Sequence, residues 1–273
     1  MRRILDMTKT LFGVNEMNLN REIIKAEPCK NCGRELKTYR VKLVGGPNKG
    51  KCTAVTEECS CYLAKQALET AIRTKIKYFK ELSTINHSLI HATLQNYSPH
   101  NDSQSHAVKK AIEFIEQLAQ NKIARAIYYG ESGLGKSHLS VGISKIVETK
   151  LQKTYLFLEV PTLKHMIKSS WSKDSVFTEL EIMRAIAEVD LLILDDLGAE
   201  GDTPWTKELL FTILNSRLSK SLLVTTNLEI EDIYLEYGPK ITDRLIQGMS
   251  KQNIIKIQGR HSYRLKELLE DDW

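Results

Sequence analysis

Eight consecutive residues constrain this chain more than any others: Gly130-Glu131-Ser132-Gly133-Leu134-Gly135-Lys136-Ser137. They fill every fixed position of G-x-x-x-x-G-K-[ST], a loop that curls backbone N–H groups around a phosphate at a helix N-terminus. The setting suits the motif. Ala126-Ile-Tyr-Tyr129 leads in as a buried strand, and Leu139, Ile143, Ile146 and Val147 follow at helical spacing. Lys136 is expected to reach the β- and γ-phosphates and Ser137 to ligate Mg²⁺, so the ligand expected is a nucleoside triphosphate.

The remainder of the carboxy-terminal part alternates strand and helix, which predicts a parallel five-stranded α/β sheet flanked by helices. Its strands are expected at 126–129, 155–160, 191–194, 222–226 and 254–257, with helices near 106–120, 162–171, 176–189, 204–218 and 240–249. Ligands in such sheets lie beyond the carboxyl ends of the strands. Two of those ends carry chemistry. Leu191-Leu-Ile-Leu194 runs into Asp195-Asp196, one acid to hold Mg²⁺ and the next to orient or deprotonate water. Asn227 closes the following strand, within hydrogen-bonding reach of that water or of the γ-phosphate.

All five cysteines fall between 29 and 61. Cys29-Lys-Asn-Cys32-Gly33 has the form of a zinc knuckle, and Cys59-Ser-Cys61 offers a second pair, which together would close a structural Zn²⁺ site. Cys52 is then the spare, or it replaces Cys59. Residues 1–25 suggest a short helix, and Tyr62 to Leu82 a long one whose second half carries Arg73, Lys75, Lys77 and Lys80. That basic stretch is either a surface for nucleic acid or a partner protein, or an ordinary amphipathic helix with favourable charges at its C-terminal end.

Charge is uneven. Residues 1–90 hold 17 Lys and Arg against 9 Asp and Glu, and 91–273 hold 22 against 25, giving +8 and −3. This asymmetry is consistent with an acidic partner for the first part. Residues 96–105 have turn composition, so the expected division is a module over 1–90 and a nucleotide-binding domain over 91–273. With no apolar segment of membrane-spanning length and no secretion signal after Met1, the expectation is a cytoplasmic protein without membrane contact.

The phosphate loop, the stretch 191–198, Thr225-Thr226-Asn227, Asp243-Arg244 and Ser262-Tyr263-Arg264 resemble the AAA+ ATPases that load the bacterial replicative helicase. They are similar also to the ATPase helpers of certain transposons. A cysteine-rich zinc module in front is a feature of the phage and Gram-positive loaders. The resemblance implies an AAA+ P-loop fold, with Asn227 as sensor 1, Arg244 as a finger reaching a neighbouring subunit's nucleotide, and Arg264 as a sensor-2-like contact. It also implies ATPase activity, self-association, replicative helicase as partner of the amino-terminal module, and single-stranded DNA bound by helices in 162–189. There Lys164, Lys168, Lys173 and Trp171 supply cations and aromatic surface, although Trp171 serves a core equally well. Most AAA+ proteins carry Glu where this chain has Asp196, which implies slow, switch-like hydrolysis. Only 16 residues follow Ile257, too few for the usual helical lid. Two other functions stay open: a transposition helper on duplex DNA, and an ATP-binding adaptor or inhibitor of a host loader.

Overall fold

A computed structural model describes residues 22–43, 46–201 and 203–259. The chain forms two compact units, Met1–Thr70 and Ala71–Trp273. The short helix expected over residues 1–25 lies mostly outside the described residues, as do Arg260 and Arg264.

The first unit holds a feature the sequence pattern does not announce: a three-stranded antiparallel sheet of β1 (Glu22–Pro28), β2 (Glu35–Lys42) and β3 (Cys52–Thr56), in the order β1-β2-β3. Residues 22–25, read with the helix, are strand. The β1–β2 turn is the knuckle itself, closed by Cys29 N–H to Arg34 O and Gly33 N–H to Cys29 O, with Gly33 at φ +73°. Helix α1 (Ser60–Leu82) follows, and the boundary between the units falls inside it. Among the described residues of 22–70 none is buried. A sheet with so little apolar burial needs another source of stability, such as a metal cross-link.

The second unit is built on the parallel five-stranded sheet expected, with its strands in the order β5-β6-β7-β4-β8. They are β4 (Arg125–Tyr129), β5 (Tyr155–Glu159), β6 (Leu191–Leu197), β7 (Ser221–Thr226) and β8 (Ile254–Lys256). Side chains alternate across the sheet, so each strand feeds two cores. Ile127, Leu192, Leu194 and Val224 pack on one face beneath α4 (Val160–Ser169), α5 (Glu179–Glu188), α6 (Pro204–Ser216), α7 (Ile230–Tyr237) and α8 (Pro239–Ile246). Tyr128, Phe157, Ile193 and Leu223 pack on the other beneath α2 (Asp102–Ala119) and α3 (Lys136–Thr149). Helix α7 was not among the expected elements.

Chain between α1 and α2 is ordered against this domain. Phe79 and Leu82, at the end of α1, are buried in its core. Ser83 and Thr84 then satisfy the open edge of β5, accepting from Phe157 N–H and Glu159 N–H at 3.1 and 2.8 Å. The turn-rich stretch at 96–105 is likewise anchored: Tyr97 is buried, and Asn101 caps α2 through Gln104 N–H.

Candidate nucleotide site and cysteine cluster

The phosphate loop joins β4 to α3 through three glycines with positive φ. At Gly130 (φ +133°) a Cβ would lie 2.1 Å from the Ile257 carbonyl oxygen, and at Gly135 (φ +88°) 2.5 Å from the Tyr97 ring. Gly135 caps α3 without a side chain, so the first N–H groups of that helix remain available to an anion. Lys136 begins α3 and is buried. Its ammonium donates to Gly130 O, Glu131 O and Asn227 Oδ1, each at 2.7 Å. Three oxygens thus surround the charge, the same kind of acceptor that a triphosphate presents.

The acids follow from a break in the sheet. Strand β6 does not stop at Leu194; it shifts register against β7 between Leu194 and Leu197 and resumes. Asp195 and Asp196 occupy that bulge, and Asp196 takes φ +56°. Bulges re-aim side chains next to active sites. Thr225 of β7 holds both acids: its hydroxyl donates to Asp195 Oδ1 at 2.6 Å and accepts from Asp196 N–H at 3.0 Å. Asp195 is buried, and its carboxyl is pushed up to about 6. Burial is the main cause; Asp196 and Glu159 add repulsion, while hydrogen bonds from Thr225 and Ser137 oppose it. A divalent cation would relieve this crowding, so Ser137 and Asp195 fit Mg²⁺.

Beside these residues lies a cavity of about 510 Å³. Ser132, Gly133, Gly135, Lys136, Ser137, Asp196 and Asn227 form one side, and Asn96, Tyr97, His100 and His138 another. Asn96, Tyr97 and His100 were invisible in the sequence, where 96–105 has only turn composition. Tyr97 OH donates to Leu134 O at 3.2 Å and its ring meets His138 edge-on, centroids 5.4 Å apart.

Arg244 is outside that lining. It lies on α8, where its guanidinium donates to Asn215 and Gln247 at 3.3 and 3.4 Å. Buried Arg125 fixes the end of this helix by donating to the carbonyls of Arg244 and Leu245. On the α4–α5 side, Trp171 is 61% exposed and so is no core residue. It meets Trp205 edge-on at 6.0 Å, with Lys168 Nζ 5.4 Å from the Trp205 ring centre. Lys164 is occupied by the Glu200 carbonyl at 2.6 Å.

In the first unit, the Sγ atoms of Cys29, Cys32, Cys59 and Cys61 all lie within 4.8 Å of one another, with Cys29–Cys61 at 3.6 Å and Cys32–Cys59 at 3.5 Å. Tetrahedral zinc with Zn–S of about 2.3 Å separates its sulfurs by about 3.8 Å, so the cluster fits. Backbone N–H groups of Asn31 and Cys32 hold the Cys29 thiol down to about 6, whereas hydrogen bonding with Cys59 and Cys29 pushes Cys61 up to about 12. One bound divalent cation would stabilise all four as thiolates. Cys52 lies on exposed β3, outside the cluster.

The profile of the IstB-like ATP binding proteins matches residues 53–270. The chain belongs to this family. Relatives include the replicative helicase loader DnaC of Escherichia coli K12, 27% identical over 188 residues, covering 66% of this chain and 75% of that one. DnaC of Buchnera aphidicola from Schizaphis graminum is 28% identical over 170 residues, covering 62% and 68%. Among solved structures, a DnaC helicase loader superposes with TM-score 0.56 at 23% identity over 63% of this chain and all of that one. DnaI superposes with TM-score 0.54 at 22% identity, over 67% and 97%. AMPPCP-bound DnaA from Aquifex aeolicus gives TM-score 0.53 at 21% identity, over 66% and 54%. These likenesses confirm the AAA+ fold. Among the described residues no helix is long and apolar enough to cross a membrane.

Proposed function

We propose that this protein is an ATP-dependent loader of the replicative DNA helicase onto single-stranded DNA, working in the cytoplasm. The observation that carries the reading is the pairing of a phosphate loop, flanked by Asp195 and Asn227, with relatives that are themselves named replicative helicase loaders.

In this reading the loop N–H groups and Lys136 bind the β- and γ-phosphates, the ammonium exchanging its carbonyl partners for phosphate oxygens. Ser137 and Asp195 would hold Mg²⁺, which supplies neutralisation of phosphate charge. Asp196 orients and deprotonates water; its short side chain makes turnover slow. Asn227, bonded to Lys136, reports on the γ-phosphate from the end of β7. Arg244 acts in trans, so ATP drives self-association through the second unit, and Arg264 completes the contacts to the nucleotide. Residues 1–90, braced by Zn²⁺ on the four clustered thiolates, dock on the helicase. The surface of Trp171, Trp205 and Lys168 stacks on and attracts single-stranded DNA, more weakly as salt rises.

The test is a pull-down of purified replicative helicase by the full chain, with ATP, with ADP and without nucleotide. Helicase capture, together with ATP-dependent binding of single-stranded DNA, is expected. Absence of helicase capture with ATP-dependent binding of duplex DNA would instead support the transposition-helper reading.

A further inference from the structure

The loop that follows the catalytic bulge is held by an acid that the mechanism above does not use. Glu200 is buried, four residues beyond Asp196. Its Oε2 accepts the Gly198 N–H at 2.8 Å, its Oε1 accepts the Tyr237 hydroxyl of α7, and its backbone carbonyl accepts Lys164 Nζ of α4 at 2.6 Å. Tyr237 is buried too, and its phenol is pushed well above its ordinary range, first by burial and then by the Glu200 carboxylate, so it remains a donor.

The backbone between the two acids is tightly specified. Asp196 is left-handed at φ +56°, a region that a residue with a Cβ enters only when its surroundings fix it there. Its carbonyl accepts Ala199 N–H at 3.2 Å, closing a turn over Gly198 at φ +101°. A Cβ on Gly198 would stand 2.6 Å from Leu228 Cδ1. Strand β7 secures the near side of this turn, through Thr225 on Asp196 N–H and Thr226 on the Leu197 carbonyl at 2.6 Å. Glu200 secures the far side, through the one N–H that Gly198 presents.

We propose that Glu200 is a positioning residue for hydrolysis, locking the Gly198 turn so that Asp196 keeps its left-handed backbone and its aim at water. The inference rests on the ATPase reading above. Glu200 does not line the nucleotide cavity, and its bonds run to Gly198, Tyr237 and Lys164, so nucleotide binding should not depend on it. Without its carboxylate, Asp196 is free to return to an ordinary φ, and small misplacements of a catalytic group cost about ten- to hundredfold in rate. Glutamine keeps an acceptor oxygen for the Gly198 N–H; alanine keeps none.

ATP turnover by wild type, Glu200→Ala, Glu200→Gln and Tyr237→Phe, with affinity for a fluorescent ATP analogue and Tm measured on each, tests this. Expected is a fall in kcat of about tenfold or more for Glu200→Ala, analogue affinity within about twofold of wild type, and Glu200→Gln retaining most of kcat. Wild-type kcat in a folded Glu200→Ala protein overturns the role. So does a loss of kcat and analogue affinity together in the well-folded glutamine variant, which would mark Glu200 as a brace for the whole domain. If Glu200→Ala does not fold, a wild-type kcat/KM profile in Tyr237→Phe combined with a tenfold loss in Glu200→Gln would equally contradict the lock. No turnover by wild type defeats the ATPase reading itself and this role with it, an outcome distinct from the others.

Discussion

A carboxyl group in the position of Asp195 has two reasons to hold its proton: it is buried, and Asp196 and Glu159 stand nearby. Its folded pKa is therefore raised, from 3.8 to about 6. A raised acid contributes stability that is fully present below the unfolded value and is lost as pH rises through the folded one. Asp195→Asn, a neutral isostere that still accepts from Thr225, should then melt above wild type at pH 8 without Mg²⁺, by roughly 3–8 °C, and level with it near pH 4. Mg²⁺ should raise Tm for wild type and leave the asparagine variant unchanged. Equal melting at pH 8 would mean that Asp195 carries no such burden. At this scale, legibility followed sequence separation. The phosphate loop could be read because its geometry lies within eight consecutive residues, and Asp195-Asp196 because they end an apolar run. Thr225 as the clamp of both acids, Glu200 as the anchor of their turn and Tyr97 beside the loop could not be read, because each acts through a partner distant in sequence or through a hydrogen bond that no local pattern encodes.

Elements divide in the same way. Four of the five parallel strands are apolar enough to be buried on both faces, and all five stood within a few residues of their expected bounds. The amino-terminal sheet escaped because β1 and β3 are exposed along their length, so no alternation of apolar and polar residues marks them. Helix α7 escaped because its eight residues offer too few turns for periodicity. What those exposed strands lack in burial, four sulfurs within 4.8 Å of one another can replace. Protein purified without chelator should carry about one zinc per chain. Cys52→Ser should keep it, since Cys52 is outside the cluster, whereas Cys29→Ser should lose it and destabilise the 22–70 region. Elemental analysis with hydrogen exchange of that region checks both parts, and zinc retained by Cys29→Ser would reassign the ligands.

For the whole molecule, the question is whether one chain contains a complete active site. Lys136 is bonded to Asn227 at the loop, and Thr225 holds Asp195 and Asp196 beside it, whereas the Arg244 guanidinium is held on α8 by Asn215 and Gln247. Among the described residues the hydrogen bonds of this guanidinium go to neutral amides, which suits it to a phosphate elsewhere. If that phosphate belongs to a neighbouring subunit, Arg244→Ala should bind an ATP analogue like wild type but lose hydrolysis by about a hundredfold or more, as loss of an arginine supplied in trans does. Lys136→Ala should fail at binding itself, because it removes the ammonium that sits inside the loop against Gly130 O and Glu131 O. Neither variant alone makes a working interface. Mixed together, some interfaces place the intact loop of an Arg244→Ala subunit against the intact Arg244 of a Lys136→Ala subunit, so part of the activity should return in proportion to the mixing ratio. Turnover measured across a titration of one variant into the other decides the matter: a maximum at intermediate ratios supports the shared site, and a flat line from two folded proteins that still associate means that Arg244 serves its own subunit only.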